Sequence, residues 1–145
     1  VVGFNSRLDS IQALVLSHKL KHLERWNTQR SIAAETYRDC LEGFPNVILP
    51  KINEGNTHVW HLYVIRIQNR DSILDALTKQ GIGVGIHYPK IFSELPAYSN
   101  LSQSRKSCRV ASQLSNEILS LPIYPGISDQ QSRRVCSALK QSLAS

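Results

Sequence analysis

The sequence predicts an α+β domain of two layers preceded by one long helix. Three observations carry that prediction. An apolar stripe recurs at helical spacing from Leu8 to Leu41, residues 58–67 form a β-branched and aromatic run, and shorter helix-like and strand-like patterns alternate behind it.

The long helix is expected over residues 6–42. Ser6 and Asp9 fit the S-x-x-D capping box, in which two side chains satisfy exposed amides reciprocally. Leu8, Ile11, Val15, Leu20, Leu23, Trp26, Ala33, Tyr37 and Leu41 recur mostly three or four apart, which draws one stripe along a helix. Gly43 is a natural stop and Pro45 prevents continuation. At 1.5 Å per residue the element would run roughly 50 Å, longer than a domain of this size is wide. Part of it is therefore expected to pack on something outside the domain, either a further domain or a second copy of the chain. The chain divides on this reading into a junction helix at 1–43 and an α+β domain at 44–145.

Residues 47–50 read as a short extended piece and 53–56 as a turn. HVWHLYVIRI at 58–67 is the best strand. Residues 71–80 read as a short helix with Ile73, Leu74 and Leu77 turned inward and Gly81 closing it. A second strand is expected at 82–87 and irregular chain at 89–101. A third helix follows at 108–119, a strand end and turn at 121–126, and a last helix at 128–143 with Ser128 as its cap. The helices are expected on one face of the sheet.

Composition narrows the function classes. The chain has 145 residues, enough for one domain with a modest core, and its 41% hydrophobic and 19% charged content is that of a soluble globular protein. No apolar run approaches the ~18 residues of a membrane span, and no signal peptide is visible at the start. Seventeen basic and eleven acidic side chains give a net charge of +6. The basic residues are spread out, with small clusters at Lys19/Lys21 and Arg133/Arg134, and this argues against the dense basic stripe of a nucleic-acid binder. Cys40, Cys108 and Cys136 are odd in number and far apart, with no CxxC pair, which argues against a disulfide framework and a zinc site and suits a reducing cytoplasm.

Chemistry-bearing motifs are few. His58 and His61 flank Val59-Trp60, and on a strand residues three apart point to opposite faces, so they do not share a metal. Ile86-His87-Tyr88-Pro89 leaves a strand for a loop, where an imidazole beside a phenol can donate to phosphate or sugar oxygens. Asn5 and Arg7 precede a helix amino terminus, a place where free amides and the helix dipole favour phosphate; simple capping explains the same residues. P-loop, GxGxxG, HExxH and G-x-S-x-G patterns are all missing from this sequence.

Taken together, the segments resemble one family. GFNSRLDSIQALVLSHKLKHLERWNTQR is similar to the GxNxRLDxIQAAxL helix of the DegT/DnrJ/StrS-type sugar aminotransferases that use pyridoxal phosphate (PLP). HVWHLYVIR resembles that family's central strand, Arg70-Asp71 the pair that opens its next helix, and GIGVGIHYP its IHYP turn. LPAYSNL and ILSLPIYPGI are similar to its PAY and LSLP-x-YP segments, in the same order. The resemblance implies the small carboxy-terminal domain of a fold-type-I enzyme, with a short, mainly antiparallel sheet. It implies homodimers that move an amino group from glutamate, through PLP, to a keto group on a nucleotide-linked sugar. It implies that Asn5 reaches the cofactor phosphate of the neighbouring subunit, and that Arg7, His87 and Tyr88 line the nucleotide-sugar side of the site.

Two departures stand out. Where the family has x-P-x-H-x-Q-P-A-Y after IHYP, this chain has Ile91, Ser93 and Leu95 in place of the second proline, the histidine and the glutamine. In the later G-x-x-P-V-A-E region the proline has become Arg109 and the glutamate Ser112. The family's Schiff-base lysine lies upstream of the segment that begins at Gly3, and none of the lysines here matches it. Hence no catalytic residue is assigned, PLP is not expected to be held by this chain alone, and the chain alone is expected to be inactive. The alternative is a non-catalytic interaction module that associates through its long helix. Either way the expected setting is cytoplasmic, with no membrane partner.

Overall fold

The computed structural model describes residues 8–98 and 108–144. Asn5, Arg7 and the proposed Ser6 cap lie outside them. The first helix, α1 (Ser10–Leu20), is capped by Asp9, whose carboxylate accepts the Gln12 amide at 2.9 Å. Asp9 is thus the cap itself rather than the reciprocating partner of a cap at Ser6.

The single helix expected over 6–42 is two helices. After α1 the chain turns at Lys21-His22, where the His22 amide bonds back three residues to Lys19 rather than four, and α2 (Leu23–Leu41) then begins. The apolar stripe crosses this break because a local tightening interrupts the hydrogen-bond ladder without changing which residue types follow. The rings of His18, His22 and Trp26 follow one another across it, with centroids 5.4 and 5.7 Å apart.

Three short strands form one antiparallel sheet in the order β1 (Val47–Ile48), β2 (Tyr63–Ile67), β3 (Ile118–Leu121). Along β2, Tyr63, Ile65 and Ile67 are buried while Val64 and Arg66 are only half so, the alternation a strand imposes. Tyr63 pairs with Leu121 and Ile65 with Leu119, so all four share the core face. Against that face pack α2 through Tyr37 and Leu41, α3 (Arg70–Lys79) through Ile73 and Leu77, and α5 (Asp129–Ala144) through Val135 and Leu139. Tyr37 is fully buried, and its phenol donates to the Pro122 carbonyl at 2.6 Å. Burial, more than any neighbouring charge, pushes the pKa values of both Tyr37 and Tyr63 well above the usual phenol range. The result is the expected α+β small domain with a short antiparallel sheet, in which α2, α3 and α5 supply the core and the helix at Arg109–Ser115, α4, does not join them.

Several element boundaries differ from expectation. Residues 58–62 are not strand: Trp60 has φ 51°, and His58 Nδ1 accepts the Trp60 amide at 2.9 Å, which curls the chain before β2 begins. The strand expected at 82–87 contracts to one bridge, Gly85 with Ser120. Gly81 turns the chain at φ 74°, and the Val84 amide bonds back to Ile82, so the glycine-rich run bends before it can pair. The third helix is shorter, α4 (Arg109–Ser115), because Ile118 and Leu119 belong to β3. In contrast, α5 begins behind the expected Ser128 cap, and Ser128 and Gln131 exchange both bonds of a capping box.

Arg70 locks the sheet to the segment before it. Its side chain is buried and donates to the carbonyls of Ser115 and Ile118 at 3.2 and 3.0 Å, closing the turn between α4 and β3. Asn69, in left-handed conformation at φ 53°, sets the angle at which α3 leaves β2.

Candidate functional site

The face of the sheet turned away from α2, α3 and α5 carries the site. Ser120 and Ile118 alternate with the core residues Leu119 and Leu121, so their side chains leave the other side of β3. Gly85 and Ser120 exchange both backbone hydrogen bonds, at 3.1 and 2.8 Å, which lays 85–87 along β3. His87 then reaches Ser120, its Nδ1 lying 2.9 Å from the hydroxyl oxygen. The approach is close: a Cβ on Gly85 would stand 3.0 Å from His87 Cε1. Glycine at 85 therefore has a packing reason, which the sequence pattern alone did not reveal.

The His87-Tyr88 peptide is cis, and the two rings meet edge to face with centroids 5.7 Å apart. Tyr88 is 73% exposed and forms one lip of a cavity of about 1040 Å³. Ile91, Phe92 and Leu95 from the following loop line it, with Leu114 of α4 and Ile118 of β3 opposite. The lining is almost entirely apolar. Ser93 also faces it, and its hydroxyl is buried without a hydrogen-bond partner. Ile91, Ser93 and Leu95 are the three positions at which the loop departs from the family's pattern, so the departures meet on one surface. A fourth, Ser112, donates to Glu94 at 2.7 Å and ties the loop to α4.

The two remaining candidates, Asn5 and Arg7, fall outside the described residues. At the start of α1 itself the Asp9 carboxylate already takes the Gln12 amide, so a negative charge stands where a phosphate would bind. His58 and His61 are not on the strand expected to point them to opposite faces. They lie before β2, and His58 stacks on Trp60 with ring centroids 4.3 Å apart. Among the described residues no group of three or more His, Cys, Asp or Glu could hold a metal, and no helix is long and apolar enough to cross a membrane.

Sequence reasoning missed one cluster. Cys40 on α2 and Cys136 on α5 line one surface depression where the two helices pack. Neither the spacing of the cysteines nor their number signals this.

Comparison with known proteins places the fold. The sequence pattern of the DegT/DnrJ/EryC1/StrS aminotransferase family matches residues 1–140. The erythromycin biosynthesis sensory transduction protein EryC1 of Saccharopolyspora erythraea is 41% identical over 140 residues, 97% of this chain and 38% of the relative. The dTDP-3-amino-3,4,6-trideoxy-alpha-D-glucose transaminase of Streptomyces venezuelae is 37% identical over 96% of this chain and 37% of its own length. Among solved structures, S. venezuelae DesV in complex with a ketimine intermediate superposes with a TM-score of 0.91 at 37% identity, covering 97% of this chain and 38% of that one. The aminotransferase PseC of Helicobacter pylori shares the fold with a TM-score of 0.86 at 22% identity, over 99% of this chain and 40% of that one. The chain thus spans about 38% of the length of the curated relatives it matches. It belongs to the DegT/DnrJ/EryC1/StrS aminotransferase family.

Proposed function

We propose that this chain is the carboxy-terminal small domain of a PLP-dependent sugar aminotransferase and supplies one wall of its substrate site. The observation that carries the proposal is the His87–Ser120 contact beside the apolar cavity, on the sheet face turned away from α2, α3 and α5. Ser120 holds Nδ1, so His87 offers Nε2 outward to a sugar or phosphate oxygen, and Tyr88 offers its phenol beside it. Ile91, Phe92 and Leu95 suit a sugar that has lost hydroxyl groups. This accords with the deoxysugar nucleotides in the names of the transaminases from S. venezuelae and Aneurinibacillus thermoaerophilus.

PLP, when bound in such an enzyme, supplies the electron sink for amino transfer. The described residues bind and orient substrate and hold no cofactor. Asn5 is assigned to the cofactor phosphate and Arg7 to the nucleotide sugar in the assembled protein. The lysines that α1, α3 and the loops carry (Lys19, Lys21, Lys51, Lys79, Lys90) are all exposed, whereas a Schiff-base lysine needs a preorganised, desolvated site. The chain alone is therefore proposed not to transaminate. Its PLP absorption after borohydride tests this: a stoichiometric, reduction-stable lysine adduct would contradict it.

A second reading, an association module, is favoured by α1. No residue of α1 is buried, and Ile11, Leu14 and Leu20 are 77%, 72% and 67% exposed. Such a surface calls for a partner. The large PLP domain or a second copy of the chain would supply it, and the first reading contains this one as the domain's mode of attachment.

A further inference from the structure

We propose that Cys40 and Cys136 form an oxidisable dithiol, in which a two-electron oxidant of the peroxide class acts on Cys40 and Cys136 closes the product into a disulfide joining α2 to α5. The site is separate from the His87 face. It lies in a surface depression of about 370 Å³ between the two helices, bordered by Asp39, Arg133, Ser137 and Lys140.

The two cysteines differ in a way that assigns their roles. Cys40 is half-buried and accessible from the depression, whereas Cys136 is 3% exposed. The Arg133 guanidinium donates to Cys40 Sγ at 3.6 Å, and Arg133 is itself held by Asp129 at 2.7 Å. The guanidinium thus sits beside a sulfur that is reachable from the depression. Cys136 lines the same depression as Cys40, and burial first, then the neighbouring Cys40, pushes its pKa up to about 12. Cys136 therefore keeps its proton. The arrangement is that of an attacking sulfur in front and a resolving sulfur behind.

In the first step Cys40 sulfur takes one oxygen of the peroxide. The S–O bond forms, the O–O bond breaks, and the other oxygen leaves as water with the thiol proton. In the second step Cys136 sulfur attacks Cys40 sulfur and displaces the sulfenic hydroxyl, which leaves as water with the Cys136 proton. The two thiols lose two electrons and two protons together, and one peroxide becomes two waters.

The test treats the purified chain with hydrogen peroxide, alkylates the remaining thiols and maps peptides by mass spectrometry. The expected result is a Cys40–Cys136 linked peptide, lighter by about 2 Da than its reduced parts. Cys108→Ser is expected to leave the reaction unchanged. Cys136→Ala is expected to yield a sulfenic acid at Cys40 that dimedone traps, and Arg133→Ala to slow wild-type linkage about tenfold. The proposal is overturned if both cysteines remain fully alkylatable while free glutathione in the same tube is oxidised. It is equally overturned if Cys40 pairs instead with Cys108 or with a second chain.

Discussion

His87 Nδ1 lies 2.9 Å from the Ser120 hydroxyl, which ties the imidazole to the back of β3, directly behind the buried Leu119 and Leu121. The sheet therefore has two jobs. One face closes the core, and the other presents a histidine at a fixed height beside an apolar cavity. Ser120→Ala should release the ring at a stability change of about 1 kcal/mol, the size of one ordinary hydrogen bond. Gly85→Ala should displace the same ring, since the new methyl would stand 3.0 Å from Cε1. Nitrogen chemical shifts of His87 report both, and each variant should move them.

Arg70, a buried charged residue, should be costly to remove. Its guanidinium serves the Ser115 and Ile118 carbonyls from a buried position. Arg70→Ala should lower stability by about 3 kcal/mol, because two carbonyls lose a charged donor. Urea unfolding followed by Trp60 fluorescence measures this. Its ion pair with Asp71 is open to water on the aspartate side, so Asp71→Asn should change little.

How much of this was legible in the sequence depends on the kind of signal. Local chemistry read well: Ser128 caps α5, Gly81 ends α3, and the alternation of Tyr63, Ile65 and Ile67 marks a strand. Features set by tertiary contact did not. The break at Lys21-His22 leaves the apolar stripe unbroken, Ile118 and Leu119 look helical until β2 pairs with them, and Cys40 meets Cys136 only after α2 packs on α5. Of the site, the IHYP segment singled out His87 and Tyr88. The role of Ser120 lay in the register between two segments far apart in sequence, which no local pattern encodes.

Acid should destabilise the fold through two carboxylates. The Gln113 hydrogen bond first, and Arg66 next, hold Glu117 below the usual carboxylate range; the Arg133 hydrogen bond does the same for Asp129. A depressed folded pKa contributes stability that is fully present above the ordinary carboxylate value and is lost as pH falls through the lower folded value. Melting temperature should thus be level near neutrality and drop on the acid side. Glu117→Gln should flatten part of that drop, and a variant whose acid branch matches wild type would show that the pairing is not felt.

The exposed face of α1 should govern association rather than folding. Replacing Ile11 and Leu14 with glutamate should leave the melting temperature nearly unchanged, because neither side chain is buried. Light scattering should then show less self-association than wild type, and a chain already monomeric at high concentration would assign the face to a large-domain partner instead.

On the proposed function, this domain contributes a substrate wall and does not itself carry out amino transfer. Release of 2-oxoglutarate from glutamate, with PLP and a dTDP-linked keto-deoxysugar present, measures it most directly. The comparison is between the isolated chain and the same chain joined behind the amino-terminal portion of the S. venezuelae transaminase. The account predicts turnover only in the joined protein, with KM for the sugar raised about tenfold or more by His87→Ala, the loss of one charged or polar contact. Turnover by the isolated chain, or a His87→Ala variant whose KM is unchanged, would contradict it.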